Sequence, residues 1–241
     1  MWERTIDGKV LTFRLFGINN QNFIMRDTET GSWWQQVTGE AIHGPLKGSR
    51  LTGVGHDEVS FGIWRGEKPR GRVLRPVKEA QEEYADWNWE KRMKEARTVV
   101  AKAKDDPLAP RAVVVGVVRN GQARAYPFPR LRAQSLVVDR LGGDAIVVVV
   151  GDDRKSVRVF KAKTADGQSV TLLRKADARP LRLVDAETGS EWDFAGVAVA
   201  GPLAGTQLEK VFCLKEYWFD WKIYHPTTGV YALGPSMTAG S

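Results

Sequence analysis

The sequence predicts a mainly β protein with two related β-rich lobes, barrel- or sandwich-like, that are joined by one long α-helix. Three observations support this prediction. Short runs of β-branched and aromatic residues alternate with turn residues about every 8–12 positions. One segment of the sequence occurs twice, and a stretch with apolar spacings of three and four lies between its two occurrences.

Several runs of the chain have the composition and length of strands. Phe23–Arg26 and Leu181–Val184 each lead into one occurrence of the repeated segment. The remaining runs are of two kinds. Those at 112–119 and 145–150 are continuously apolar and typical of strands buried on both faces, and those at 156–162 and 169–173 alternate.

The repeated segment covers residues 27–51 and 185–208, and 13 of 24 aligned positions are identical when one residue is skipped. The match then continues at a constant offset, for example from Trp64 to Trp221. We therefore expect two copies of one unit. The expected parts of the chain are a partial β unit (residues 1–76), a linking helix with a proline-containing linker (residues 77–110) and a near-complete second β unit (residues 111–241).

The linking helix is predicted over residues 77–104. Pro76 precedes it, glutamates lie in its first turns and lysines in its last, as the helix dipole favours. At 1.5 Å per residue it would span roughly 40 Å. A proline at Trp87 would then disrupt it, at a cost of about 3 kcal/mol or more.

The string Asp-x-Glu-Thr-Gly, present in both copies, is typical of a turn, because Asp accepts hydrogen bonds from nearby amides and Gly tolerates a positive φ. A second interpretation is that its polar and aromatic residues point into a shared binding groove. The residues concerned are Asp27, Thr30 and Trp34 in the first copy, and Asp185, Thr188 and Trp192 in the second.

Gly-Pro-Leu-x-Gly follows in each copy as a bend. The predicted structural turn residues are Gly31, Gly44, Pro45, Gly48, Gly189, Gly201, Pro202 and Gly205.

Few residues suggest chemistry. His43, with Glu40 near it, is the best candidate for acid–base work or binding, although a histidine in a surface loop is more common. No two histidines have a metal-ligand spacing, so we expect no metal, no cofactor and no catalytic residue. The tryptophans at 33, 34, 192, 218 and 221 could form a stacking platform for sugars or bases, or pack in the core of each unit.

The composition of the 241 residues narrows the classes further. The single cysteine, Cys213, allows no disulfide within the chain. No apolar run approaches the ~20 residues of a membrane-spanning helix, and residues 1–10 do not resemble a signal peptide. The net charge of +7 is scattered among acidic residues, so we expect no nucleic-acid partner.

These motifs resemble the bacterial and archaeal family called domain of unknown function 3179. The resemblance is carried by VVVGVVRNGQARAYPFPRL (113–131), LVVDRLGGDAIVVVV (136–150), VRVFKAKTADGQSVTLL (157–173), LVDAETGSEWDFAGVAVAGPLAGTQL (183–208), WFDWKIYHPTTGVYAL (218–233), LTFRLFG (11–17) and MRDTETGSWWQQVTGEAIHGPLKGSRL (25–51). It implies the fold unit and an extracytoplasmic location, but no established activity. Such domains typically carry a Tyr-Cys-Pro-Leu-Cys-like segment. In the second copy Gly151 to Lys155 stand in its place, and in the first it would lie upstream of Met1. The chain is therefore expected to begin inside a domain.

Three functions remain open. The favoured one is a non-catalytic binding or scaffolding module that belongs to a larger protein or assembly and has a protein partner. The second is an extracytoplasmic thiol-redox or metal-handling protein whose Cys-x-x-Cys lies upstream of this chain. The third is carbohydrate or polyanion binding through the tryptophans and the basic surface.

Overall fold

The computed structural model describes residues 1–20, 22–98, 100 and 104–232. The predicted mainly β fold is confirmed. Four of the five sheets have four strands, and none of the sheets closes into a barrel within these residues. The strands are β1 Thr5–Ile6, β2 Lys9–Val10, β3 Phe13–Asn19, β4 Asn22–Asp27, β5 Trp33–Gln35, β6 Ala41–His43, β7 Val113–Arg119, β8 Gln122–Pro127, β9 Leu136–Leu141, β10 Asp144–Val150, β11 Val157–Thr164, β12 Leu172–Arg174, β13 Leu183–Asp185, β14 Glu191–Trp192, β15 Ala198–Ala200, β16 Leu208–Lys210, β17 Cys213–Tyr217 and β18 Gly229–Val230. The helices are α1 Phe61–Glu67, α2 Trp89–Glu95, α3 Phe128–Gln134 and α4 Trp218–Tyr224, with a 3-10 turn at Lys78–Glu83.

The central sheet of the second unit has the strand order β16-β11-β10-β9 and is covered on both faces. Ile146 and Val148 of β10 pack against β7, β8 and α3. Val147 and Val149 point the other way and pack against the sheet β12-β13-β14-β15. This burial on both faces explains why β10 is an almost unbroken run of valines.

Helix α4 covers the outer side of the sheet β17-β7-β8-β18. Trp218 and Trp221 of α4 are fully buried there beside Val114. Gly116 on β7 provides the space for the indole, because a Cβ at this position would lie 2.2 Å from the Trp221 ring. The layers of the second unit are therefore a helix and three stacked sheets.

The first unit contains the four-stranded sheet β3-β4-β5-β6, which lies over a smaller core, and the two-stranded sheet β1-β2. Leu11, Trp34, Ala41 and Leu51 are its buried side chains. Its backbone follows the course of the second unit: Gly48 N–H donates to Ala41 O at 2.8 Å, and the matching pair from Gly205 to Ala198 has the same length. Positions in the two units correspond where such hydrogen bonds and the strand pairing match.

Residues 57–67 of the first unit pack on the second unit. Ser60 N–H donates to the hydroxyl of Ser156 at 2.8 Å, and Val59 and Ile63 join the core around β10. Arg158, which is 4% exposed, makes a bidentate contact of 2.7 Å with Glu67. The two units are therefore held together by packing and by a buried ion pair.

The predicted single helix over residues 77–104 is wrong. Among the residues of this segment that the structure describes, the chain forms only the short 3-10 turn, which is interrupted at Ala80 (φ −103°, ψ 18°), and the seven-residue helix α2. Trp87 lies between them and is 91% exposed. Val77, Tyr84 and Trp89 of the apolar stripe are also between 48% and 55% exposed, and most of the stability of a helix in a protein comes from tertiary packing of its apolar face. Val99 and residues 101–103, at the end of the predicted helix, lie outside the described residues.

Candidate functional site

The repeated Asp turn is the best-formed polar cluster of each unit. In the first unit Asp27 Oδ1 accepts the Thr30 N–H at 2.5 Å, and Oδ2 accepts the Trp34 indole N–H at 2.7 Å. In the second unit Asp185 accepts the Thr188 N–H at 2.6 Å and the Trp192 indole N–H at 2.9 Å. Burial raises the pKa of Asp27, but the bonds from Trp34 and Thr30 outweigh burial and leave the pKa of the carboxyl below its ordinary value.

A serine connects each Asp turn to the Gly-Pro-Leu bend. The Ser32 hydroxyl lies 2.7 Å from the Thr30 hydroxyl and accepts the Leu46 N–H at 3.0 Å. Gly44 at the bend has φ +94°, and a Cβ there would lie 2.7 Å from Ser32 Cα. The second unit repeats the arrangement with Thr188, Ser190, Leu203 and Gly201. The bend therefore requires glycine for both its backbone angle and its close approach.

The Asp and Trp side chains of both turns are at most 1% exposed. Their polar atoms are used within the turn, and so are those of Thr30 and Thr188. These Asp and Trp polar atoms are already paired within the turn, although Asp27 and Thr30 also line an open depression beside the β3–β6 sheet. The geometry therefore supports the interpretation of the motif as a structural turn.

Of the five tryptophans considered for a stacking platform, four are buried. Trp34, Trp192, Trp218 and Trp221 are at most 2% exposed. Trp33 is partly exposed because it points to the opposite side of β5 from Trp34. Of these five tryptophans, Trp33 is therefore the one whose side chain can contact a ligand at the surface.

Trp33 is the middle ring of three on the outer face of the β3–β6 sheet. Its ring centroid lies 4.7 Å from Phe16 and 4.5 Å from His43, and we call these three residues the aromatic row. The Arg26 guanidinium lies 5.6 Å from the centre of the Phe16 ring. Arg14 faces Arg26 directly across β3 and β4. An open depression of about 620 Å³ adjoins this surface, and Glu29 and Thr30 are also among its lining residues.

The inner face of the same sheet carries a second exposed surface. Met25 and Phe13 on this face pack on the core of the first unit. Beyond them Leu15, Ile18 and Phe23 are 66%, 67% and 46% exposed, and we call these three residues the apolar patch. Ile18 pairs with Phe23, and an irregularity of the pairing at Phe16 keeps Leu15 and Ile18 on one face.

Trp33 and His43 of the aromatic row were candidates from the sequence, but neither surface was predicted as a whole, because exposure of a strand residue depends on what the fold places over it. A signal was nevertheless present in the comparison of the two copies. Phe23 takes the position of Leu181, which is 3% exposed. Arg14 and Arg26 take the positions of Leu173 and Val184.

The histidines and the cysteine lie apart from one another. His43 is exposed at the end of the aromatic row. His56 Nδ1 lies 3.3 Å from the Met1 amino group, and burial lowers the pKa of His225, which packs on Trp221. Burial raises the pKa of Cys213 to about 12, which disfavours its thiolate. Within the described residues, no three His, Cys, Asp or Glu side chains are placed to hold a metal ion.

Two partly buried carboxyls, Glu216 and Asp220, lie near the contact between the β3–β4 hairpin and α4. Glu216 Oε1 is buried and has no hydrogen-bond partner among the described residues. Burial, followed by the charges of Asp220 and Glu58, raises the pKa of Glu216 to about 8. Burial likewise raises the pKa of Asp220 to about 6, although Asn22 at the tip of the β3–β4 hairpin donates a hydrogen bond to it. Neither carboxyl was predicted from the sequence as a functional residue.

Comparison with known proteins identifies a family and no further relatives. No helix within the described ranges has the length and apolar content needed to cross a membrane. No curated protein and no solved structure matches the chain. The sequence profile of the family described as "Protein of unknown function (DUF3179)" matches residues 1–228, and the chain therefore belongs to that family.

Proposed function

We propose that this protein is a non-catalytic binding and scaffolding module, and that its apolar patch binds a β-hairpin of a partner protein. The observation that carries the proposal is the difference between two corresponding positions. Leu181 in the second unit is 3% exposed, and Phe23 in the first unit is 46% exposed. The β3–β6 sheet of the first unit therefore leaves exposed an apolar face whose counterpart in the second unit is covered by other strands.

The second unit indicates the chemistry of the partner. There the strands β9 and β10 cover the sheet β12–β15, with Val147 and Val149 packed on Leu181 and Leu183. A partner of the same kind is an antiparallel strand pair with an apolar, valine-rich face. Burial of a Leu, Ile or Phe side chain contributes about 1.5–3 kcal/mol each, which is the driving force expected from the apolar patch.

A free strand edge beside the same sheet supports this mode of binding. Phe160 pairs with Val147 on one side and with Lys210 on the other. In the first unit Trp2 takes the position of Phe160, and it pairs with Gly53 on one side. No strand in the part of the chain that the structure describes pairs with Trp2 on its other side. Unpaired edges bind further strands through backbone hydrogen bonds.

The chain provides its own probe for this proposal. A lysine-flanked synthetic peptide of residues 136–150 contains the hairpin of β9 and β10, and a control peptide carries Asp at the positions of Val147 and Val149. Titration calorimetry with the full protein should detect binding of the first peptide and at least about tenfold weaker binding of the second, because two charges would face the apolar patch.

Variants of the protein locate the binding surface. Ile18→Lys and Phe23→Lys should each weaken binding of the first peptide at least about tenfold, and both positions are exposed enough for the fold to tolerate lysine. Val199→Lys is the matched control, because Val199 is a 45% exposed strand residue of the second unit. Equal binding of the two peptides, or equal weakening by Val199→Lys, would contradict the proposal.

A further inference from the structure

The outer face of the first sheet differs from the corresponding face of the second unit at four neighbouring positions. In the second unit these positions carry small, aliphatic or acidic side chains, and in the first unit all four are cationic or aromatic. The pairs are Arg14 for Leu173, Arg26 for Val184, Trp33 for Glu191 and His43 for Ala200. All four differences lie on one contiguous surface. We therefore interpret them together, as a difference in what this surface can bind.

The two arginines are placed at an energetic disadvantage. Arg14 and Arg26 are directly opposite each other on neighbouring antiparallel strands, and like charges in this position destabilise a sheet. Both side chains are exposed. Among the ion pairs of the described residues, none includes Arg14 or Arg26. An anion placed between the two guanidinium groups would relieve their repulsion.

The aromatic row lies beside this pair of charges. The three rings succeed one another at centroid distances of 4.7 and 4.5 Å across β3, β5 and β6. Phe16 is 47% exposed, and none of the three rings belongs to a core cluster. The row is therefore a partly exposed aromatic strip, and its Phe16 end borders the open depression that Arg14 and Arg26 line.

We propose that the outer face of the first sheet is a binding site for an acidic oligosaccharide, a chain of sugar rings that carry carboxylates. The rings of the aromatic row contact the apolar faces of the sugars, and Arg14 and Arg26 bind the carboxylates, since a guanidinium can bind a carboxylate in a bidentate manner. A single-stranded nucleic acid fits less well. It carries a phosphate on every nucleotide and requires a longer basic groove, whereas the basic residues that line this depression are Arg14 and Arg26.

The site can be tested with tetragalacturonate as the probe. Its fully methyl-esterified form is the neutral control, because it keeps the sugar rings and removes the charges. Titration calorimetry with the full protein should show binding of the acid, with an affinity that falls as the salt concentration is raised. The ester should bind at least about tenfold more weakly. No detectable binding of the acid, or equal binding of the ester, would overturn the proposal.

The second unit supplies substitutions that this sheet architecture accommodates. The double variant Arg14→Leu with Arg26→Val, and the single variant Trp33→Glu, introduce the residues of the corresponding positions. Each should weaken tetragalacturonate binding at least about tenfold, whereas Leu173→Ala on the corresponding face of the second unit should not. Variants that bind as the wild type does would refute the site. Tighter binding of an oligothymidylate than of tetragalacturonate would refute the ligand class.

Discussion

At Asp27 and Asp185 a buried carboxylate organises the turn of each unit. Each accepts an indole N–H and backbone N–H groups, and each is at most 1% exposed. The pKa of Asp185 lies below its ordinary value, because the bonds from Trp192 and Thr188 outweigh the opposing effect of burial. The residue therefore remains ionised and acts as an acceptor within the fold.

Replacement of Asp185 by alanine should destabilise the protein strongly. The Trp192 indole N–H and the Thr188 amide would lose their acceptor, and buried unsatisfied donors cost about 1–3 kcal/mol each. We expect a loss of about 3 kcal/mol in the free energy of unfolding, measured by urea denaturation. Asp166→Asn, at an exposed turn position, is the control and should change it by less than about 0.5 kcal/mol. A loss below about 1 kcal/mol for Asp185→Ala would show that the turn does not depend on this carboxylate.

Glu216 should make the stability of the fold depend on pH. The pKa of Glu216 in the folded protein is about 8, and the pKa of glutamate in an unfolded chain is about 4.3. Between these values the folded chain keeps a proton that the unfolded chain releases. The stability contributed by the neutral carboxyl is therefore fully present below about pH 4 and is lost as the pH rises through about 8.

Glu216→Gln tests this dependence. We expect the variant to have a higher Tm than the wild type at about pH 8.5 and a smaller fall in Tm between about pH 5 and pH 8.5, because its side chain does not ionise. Glu95→Gln, in the exposed helix α2, controls for the loss of a surface charge. Parallel Tm curves for the wild type and Glu216→Gln would contradict the buried-carboxyl assignment.

At the level of elements, residues 77–98 show where sequence periodicity misleads. The apolar spacings of three and four were present, yet Trp87 is 91% exposed, and Leu74 before the predicted helix is 95% exposed. A periodic stripe forms a stable helix when another layer covers it. Trp87 and the other described apolar residues of this stripe are not covered by another layer, and the irregular spacing at Trp87 and Trp89 coincides with the gap between the 3-10 turn and α2.

Trp87→Ala should therefore be almost neutral. We expect a change in the free energy of unfolding within about 0.5 kcal/mol, since surface substitutions away from packed or capped positions have small effects. Trp221→Ala should cost about 3–5 kcal/mol, because it removes a buried indole from the core under α4. Comparable losses from the two substitutions, measured by denaturant unfolding, would restore the interpretation of residues 77–104 as a bracing helix.

The strands were more predictable than the helix, for a physical reason. The valine run of β10 is buried on both faces, and the alternation in β11 reflects two different neighbouring layers. In both strands the pattern of residues reflects which neighbouring layer each side chain contacts. The apolar patch was not predictable in this way, because Leu15, Ile18 and Phe23 have the composition of core strands and their exposure depends on the rest of the fold.

On the scale of the whole molecule, Arg158 couples the two units. It is 4% exposed, contacts Glu67 and Asp57 of the first unit, and lies 4.6 Å from the centre of the Phe194 ring. Removal of one partner from a buried ion pair typically costs about 3–5 kcal/mol. The exposed fractions of Glu67 and Asp57 reduce the expected cost here, because water can solvate them once Arg158 is gone.

Arg158→Ala should loosen the contact between the units before it unfolds either of them. We expect faster hydrogen exchange in residues 57–67 and a loss of about 2 kcal/mol in the free energy of unfolding. The control is Lys161→Ala. Lys161 lies on the same strand as Arg158 and pairs with the exposed Glu209. Unchanged exchange in residues 57–67 for Arg158→Ala would show that the ion pairs of Arg158 do not hold the units together.

Hydrogen exchange of the full protein with and without the lysine-flanked peptide of residues 136–150 tests the proposed scaffolding role most directly. The proposal predicts slower exchange in β3 and β4 and at the free edge around Trp2, with no change in the second unit, where β9 and β10 already cover the sheet. Exchange that is unchanged in β3, β4 and at Trp2 while the peptide is bound, or protection confined to the second unit, would contradict it.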